Sequence, residues 1–175
     1  LGKVFTYSKF FIGKNKFNIK KIKQFKNCTN KNFRIINNIK KSIDCSILKN
    51  NDYILRRYFK LNLQKKYYFF YYKKNIIFFS IRNKYEINIT DFLYLNSNFK
   101  STFTYFLSLF KDYKIKLNLW INPNNTKIHS FLLDNKFIKT EKSFNLGYYR
   151  LTNYKFLQKK IFKNYNYSMG DSDIF

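Results

Sequence analysis

Thirty-five Lys and Arg stand against nine Asp and Glu in this chain, a formal net charge of +26 over 175 residues. Its distribution constrains the fold as much as its size does. No acidic residue precedes Asp44, and none stands between Glu141 and Asp171. A compact domain with such a charge repels itself, so its folded state is favoured by a polyanion, and nucleic acid is the commonest one. A soluble enzyme with a basic surface is the other reading of the same charge.

The chain is not a disordered polycation. Disordered segments are poor in aromatic and β-branched residues, whereas this one has 22 Phe and 16 Tyr with only 4 Gly and 1 Pro. Its length suits one domain with an extension. Lys, Asn, Ile, Phe and Tyr dominate and Ala is absent. All five have AT-rich codons, so the composition points to an AT-rich genome such as that of a mitochondrion, a plastid or a parasite. Codon bias raises Lys but does not by itself deplete Asp and Glu, so the shortage of acids asks for a functional cause. Leu1 stands where Met is usual, through trimming or through a non-standard start codon. Residues 1–26 are rich in Lys and lack Arg, whereas a matrix-targeting presequence is rich in Arg and Ser. The expectation is an organelle-encoded, mitochondrial protein without an import signal.

Cys28 and Cys45 stand apart with no CxxC spacing and no neighbouring His, and read as two reduced thiols. The longest apolar runs are far shorter than the ~20 residues of a spanning helix, so no transmembrane segment is expected. His129 is the sole histidine and reads as a partly buried polar residue rather than a base. Asp171 and Asp173 make at best a weak cation site, and read as partners of nearby Lys. No metal and no cofactor is expected, and no Walker loop, zinc spacing or nucleophile elbow is present.

Along the chain, residues 1–26 read as a basic arm. Lys3, Lys9, Lys14, Lys16, Lys20, Lys21, Lys23 and Lys26 are interleaved with Phe5, Tyr7, Phe10, Phe11, Phe17 and Phe25. Cations neutralise phosphates and aromatics stack on bases; alternatively, the segment is a first strand or helix with solvated lysines. Residues 27–50 read as a linker, which gives domains at 1–50 and 51–175. Asp52 caps an expected helix over residues 53–66, with Ile54, Leu55, Tyr58 and Phe59 on one stripe. Strands follow at residues 66–72, 76–81 and 85–95, with turns at Lys73-Lys74-Asn75 and Arg82-Asn83-Lys84. Phe103, Phe106, Leu107 and Phe110 form the apolar face of a helix. Residues 114–121 alternate as a strand. A helix over 125–135 then carries Ile128, Phe131 and Leu132, and residues 137–144 and 146–154 form a final strand pair. Arg150, Lys155, Lys159, Lys160 and Lys163 make a second basic face, interleaved with Tyr148, Tyr149, Tyr154 and Phe156.

The fold class is therefore α+β, and the order helix, meander, helix, strand, helix, strand, strand is similar to the later part of a GNAT acetyltransferase domain. The stretch LNLWINPNNTKIHSFLLDNKFIK, residues 117–139, resembles that superfamily's strand–Asn–helix–GF segment. Asn122 and Asn125 occupy its turn, Phe137 its return to the sheet, and Lys136 the place of the usual Gly. NDYILRRYF at residues 51–59 resembles a DYLxWRY-type segment of bacterial GNAT-like proteins associated with surface-polysaccharide loci, with Arg56 in place of Trp. Gly147-Tyr148 and MGDSDIF at residues 169–175 resemble the tail of the same group. The resemblance covers about residues 51–175 and implies a GNAT-like mixed sheet with flanking helices, preceded by the basic extension.

The family's acetyl-CoA site needs a Q/R-x-x-G-x-G/A loop, whose glycines let backbone N–H groups approach a pyrophosphate. Here the segment is Asn96-Ser97-Asn98-Phe99-Lys100-Ser101. Lys100 could hold a phosphate, but side chains crowd the cradle, so a catalytically inactive relative is expected. Charge, codon bias and the altered loop together predict a structural constituent of an organellar ribosome, whose partners are ribosomal RNA and neighbouring ribosomal proteins. The alternatives are an active or residual N-acetyltransferase, supported by residues 51–175, and a peripheral accessory subunit of a respiratory complex or ATP synthase.

Overall fold

The structure is a computed structural model that describes residues 2–29, 32, 54–60, 66–93, 99–121 and 126–146. It is an α+β architecture, a seven-stranded, mixed and mostly antiparallel sheet with two short α-helices. The strands are β1 (Gly2–Ile12), β2 (Phe25–Asn27), β3 (Tyr67–Tyr72), β4 (Asn75–Asn83), β5 (Glu86–Leu93), β6 (Lys114–Ile121) and β7 (Ile138–Leu146). Helix α1 (Phe99–Ser108) joins β5 to β6, and α2 (Thr126–Asp134) joins β6 to β7. The sheet order is β2-β3-β4-β5-β6-β1-β7, and among the described strands only the pair β5 and β6 is parallel.

The meander forms for the reasons its residues suggest. β3 and β4 are aromatic and β-branched, which suits a pleated, half-buried surface. Tyr72 pairs with Asn75, so the loop between them is Lys73-Lys74, with φ of 47° and 62°. Two positive φ values are the mark of a type I′ hairpin turn, whose twist matches that of the strands. Asn75 secures this turn to α1, its Nδ2 donating to the Lys73 carbonyl at 3.1 Å and to Thr102 Oγ1 at 3.0 Å. The second turn falls later than expected. β4 continues through Asn83, which pairs with Glu86, and Lys84-Tyr85 make the turn. The Asn83 side chain is the cause, because its Oδ1 accepts from the Tyr85 N–H at 2.8 Å and replaces a backbone partner.

The face of the sheet that α1 and α2 cover holds the larger core. Phe103, Phe106, Leu107 and Phe110 are all buried, as their spacing implies, together with Phe131 and Leu132 of α2. On the other face Ile54, Tyr58, Tyr67, Phe69, Ile76 and Phe78 form a smaller cluster. Of the helix expected over 53–66, the described part is Ile54 and a π-helical turn, Leu55–Lys60. Tyr58 fastens it, stacked on Phe78 at 4.2 Å and donating to Asp91 Oδ2 at 3.1 Å. The Asp52 cap lies outside the described residues.

The N-terminal segment departs most from expectation. β1 is no arm outside the domain: it lies between β6 and β7 and pairs antiparallel with both. Phe5, Tyr7 and Phe11 point at the helices and join the larger core. Lys9 occupies an inward position in the same alternation, which hides a two-residue period that would otherwise read as a strand. Gly13 then turns the chain away. A Cβ there would lie 2.2 Å from the backbone carbon of Asp112, so only glycine permits the close approach in which Gly13 N–H donates to the Tyr113 carbonyl at 3.2 Å. The extension expected over residues 1–50 is therefore revised for residues 2–12. Of the final strand pair, β7 is present, and residues 147–154 lie outside the described residues.

Helix α2 ends through Lys136, which has a φ of 60°. The Phe137 N–H donates to the Leu132 carbonyl at 2.9 Å and the Lys136 N–H to the Leu133 carbonyl at 2.8 Å, the pairing of a Schellman stop. A side chain in the left-handed region costs about 1 kcal/mol that glycine does not pay. Lys136→Gly should accordingly raise stability by roughly 0.5–1 kcal/mol, measured as a shift of the urea midpoint at constant slope; a lowered midpoint would contradict this role for the residue.

Candidate nucleic-acid interface

Beyond Gly13, residues 14–26 run from the end of β1 to edge strand β2 and are pinned by apolar side chains. Phe17 packs edge-on against Tyr113 at 5.6 Å and meets Phe110 at a tilt at 5.8 Å. Ile22 and Phe25 are buried, and Phe25 meets Phe79 at 4.8 Å and Phe110 at 5.4 Å. A short 3₁₀ turn, Ile19–Lys21, is capped by Asn18, whose side chain accepts from the Lys20 N–H at 3.0 Å. With these anchors turned inward, Lys14, Lys16, Lys20, Lys21, Lys23 and Lys26 are all exposed. No carboxylate occurs anywhere in this strap, so its ammonium groups have no acidic neighbour in sequence.

Two lysines of the N-terminal set behave differently. Lys9 points toward α2, donates its Nζ to the Asn135 carbonyl, and lies 5.3 Å and 5.6 Å from the ring centroids of Phe11 and Phe137. Burial lowers its pKa, and Lys136 and Lys111 lower it further. Lys9 thus caps the end of a helix, where a cation is favoured by the dipole, and is not presented to a phosphate. Lys3 lies in β1 opposite Asn145. Arg150, Lys155, Lys159, Lys160 and Lys163 lie outside the described residues, as do Cys45, Asp171, Asp173, Asn122, Asn125 and the Gly147-Tyr148 and 169–175 tail motifs.

The aromatic half of the expected arm is likewise rearranged. Phe5, Tyr7, Phe11, Phe17 and Phe25 are packed into or against the core, so their faces are spent on protein. Phe10 alone of that set is strongly exposed. Beside the strap, a cleft of about 430 Å³ opens between β2, β3 and the π-helical turn. Its walls include Tyr58, Phe59, Tyr67 and Tyr68, and Lys20, Lys23 and Lys66 stand along it. Cys28 also lines the cleft. Burial pushes its thiol well above the ordinary range, which leaves it protonated and a poor nucleophile.

His129 Nδ1 is hydrogen-bonded to the Tyr7 hydroxyl at 2.5 Å, and its ring meets Phe5 edge-on at 6.1 Å. Burial raises the Tyr7 pKa, so the phenol stays neutral. Ser8 donates to Asn118 at 2.7 Å, and Asn118 Nδ2 donates to Glu86 at 2.6 Å and to Asn88 at 3.1 Å. This network bridges β1, β6 and β5 at the parallel pair. Among the described residues no group of three or more His, Cys, Asp and Glu could hold a metal ion, and no helix is long and apolar enough to cross a membrane. Sequence reasoning passed over Tyr85, Lys84, Lys114 and Lys116, which sit at one end of the sheet. For Lys114 and Lys116 the signal was the outward half of the alternation in β6.

The lowered pKa of Lys9 fixes a sign. The unfolded chain holds this proton up to the ordinary lysine range near 10.5, whereas the folded chain releases it earlier, so the folding penalty is full at neutral pH and fades as pH rises. Relative to Lys9→Met, the wild type should gain stability as pH rises from neutrality toward 10.5, measured by denaturant titration at several pH values; a gap that stays constant or moves the other way would refute it.

No protein-family model, curated protein or solved structure matches this chain.

Proposed function

We propose that this chain is a structural, rRNA-binding constituent of an organellar, mitochondrial ribosome, built on a catalytically inactive acetyltransferase-like domain. The observation that carries the reading is the strap of residues 14–26. Its anchors Ile22 and Phe25 are buried and Phe17 is half-buried, while Lys14, Lys16, Lys20, Lys21, Lys23 and Lys26 are all exposed without a carboxylate among them. Such a surface repels itself unless phosphates neutralise it, and each neutralised phosphate releases condensed counterions. Ribosomal RNA and neighbouring ribosomal proteins are the partners this reading assigns.

The acetyltransferase-like ancestry draws support from the crossover β5-α1-β6. The two parallel strands are paired only at Glu86–Lys116, Ile87–Leu117 and Asn88–Asn118, and beyond that they continue without pairing. Ligands of α/β sheets bind where parallel strands part at their C-terminal ends. Lys136, in the left-handed conformation that a glycine takes readily, supports the same likeness. The place of β1 between β6 and β7 is a difference from the element order on which that likeness was built.

Inactivity draws support from the first turn of α1. Phe99 stands there in contact with Phe92 at 5.3 Å and Phe103 at 5.6 Å, and the Lys100 Nζ lies 5.9 Å from the ring centroid of Phe131. Aromatic rings thus occupy the helix start at which backbone N–H groups would have to meet a pyrophosphate. Residues 94–98 lie outside the described residues. Calorimetric titration of the purified chain with acetyl-CoA should give no binding in the micromolar range; a micromolar dissociation constant would favour the transferase instead.

The decisive experiment is sedimentation of the tagged chain through a sucrose gradient, with and without RNase. It should travel with a ribosomal particle and move to light fractions after RNase. Reversing charge at Lys20, Lys21, Lys23 and Lys26 should lower association and reduce the slope of log affinity against log salt by about 3, at roughly 0.7–0.9 per phosphate contact. Sedimentation unchanged by RNase, or with a respiratory complex, would overturn the assignment.

A further inference from the structure

We propose a second RNA contact at the end of the sheet formed by β1, β6 and the β4–β5 turn, where Phe10 and Tyr85 stack unpaired bases. The proposal rests on the RNA-binding reading above and gives it a base-recognising surface. Most large apolar side chains among the described residues are buried or half-buried, yet Phe10 is 58% exposed, Tyr85 42% and Ile12 92%. These three are neighbours. Phe10 pairs with Lys116 and Ile12 with Lys114 across β1 and β6, and the Lys116 N–H donates to the Tyr85 carbonyl at 2.8 Å. The backbone of Lys116 therefore lies between Phe10 on one neighbouring strand and Tyr85 at the start of the other.

Each ring carries its own cation. Lys116 Nζ lies 5.5 Å from the Phe10 centroid, and Lys84 Nζ lies 5.0 Å from that of Tyr85. Arg82, Lys114 and Lys14 are exposed on the same end. The acids here are Glu86 and Asp112. Glu86 is engaged by Arg82 at 3.7 Å and by Asn118 at 2.6 Å, and Asp112 is exposed. The cations outnumber the carboxylates, so the surface is complementary to an anion.

That chemistry selects the occupant. An apolar protein partner would gain from Phe10 and Ile12 but would leave the surrounding ammonium groups without charge partners. A polynucleotide satisfies both, because its bases have flat faces for the rings and its phosphates take the cations. The bases of a duplex are already stacked on one another, so single-stranded or looped RNA is the form that can use the rings.

The test uses the full chain and fluorescence anisotropy with a single-stranded RNA and an RNA duplex of the same length. Phe10→Ser with Tyr85→Ser should lose roughly 10- to 100-fold affinity for the single strand, lose little for the duplex, and leave the salt slope unchanged. The charge-reversed strap, Lys20→Glu with Lys23→Glu, should instead reduce the slope on both RNAs. Phe10→Leu with Tyr85→Leu keeps the apolar area and removes the flat faces, and it should not restore binding. Melting curves are expected to match the wild type, since both side chains are exposed. If the wild type bound neither RNA, the RNA-binding reading itself would fall, and this site with it. If the wild type bound but the Ser pair bound equally well, or if Leu restored affinity, only the stacking site would fall. A concentration-dependent dimer abolished by the Ser pair would likewise overturn it in favour of a second copy of the chain.

Discussion

Everything described here depends on one aromatic cluster between the sheet and α1. The ring of Phe106 lies within 5.1–6.1 Å of Phe25, Phe70, Phe79, Phe103 and Phe110. These partners come from β2, β3, β4 and α1 and its C-terminal turn, so one side chain draws together segments remote in sequence. Each fully buried aromatic side chain contributes a few kcal/mol, and offset or edge-on ring pairs add about 0.5–1.5 kcal/mol each beyond area. A chain with a net charge of +26 needs such a non-directional, charge-free source of cohesion. Aliphatic residues alone would supply it less readily in a sequence without alanine.

The cluster also explains how the cations are displayed. Phe17, Ile22 and Phe25 bind the strap to the core, and the lysines between them are forced outward by the same anchoring. A basic surface held this way loses less conformational entropy on meeting phosphate than a free tail would. One row of polar groups inside the sheet is satisfied by mutual hydrogen bonds. Ser8, Asn118, Asn88 and Glu86 bond in a row across β1, β6 and β5, where unpaired amides would be costly.

Much of the candidate surface was legible as composition, and little of it as position. The lysines of residues 14–26 were visible in the sequence, and an acid-free run argues for solvent or phosphate wherever it folds. Lys9 belonged to the same run and turned inward, because β1 alternates and its ninth residue falls on the helix-facing side. Phe5 and Tyr7 read equally well as stacking groups and as strand residues, and only their antiparallel neighbours on β6 and β7 decide for the core. Tyr85 gave no signal, since its exposure follows from a turn shifted one residue by the Asn83 side chain.

Local pattern by itself determined the meander of β3, β4 and β5, the apolar faces of α1 and α2, and the strand β6, because each rests on a period of two or of 3.6 within a short window. It also determined the charge. Tertiary structure alone decided that the first strand is seated between β6 and β7. The partners of β1 are more than a hundred residues away in sequence, and hydrogen bonding across that separation leaves no periodic trace in the chain. It decided as well which lysines reach solvent and which aromatic faces stay open, since both depend on the side of the sheet to which each residue is turned.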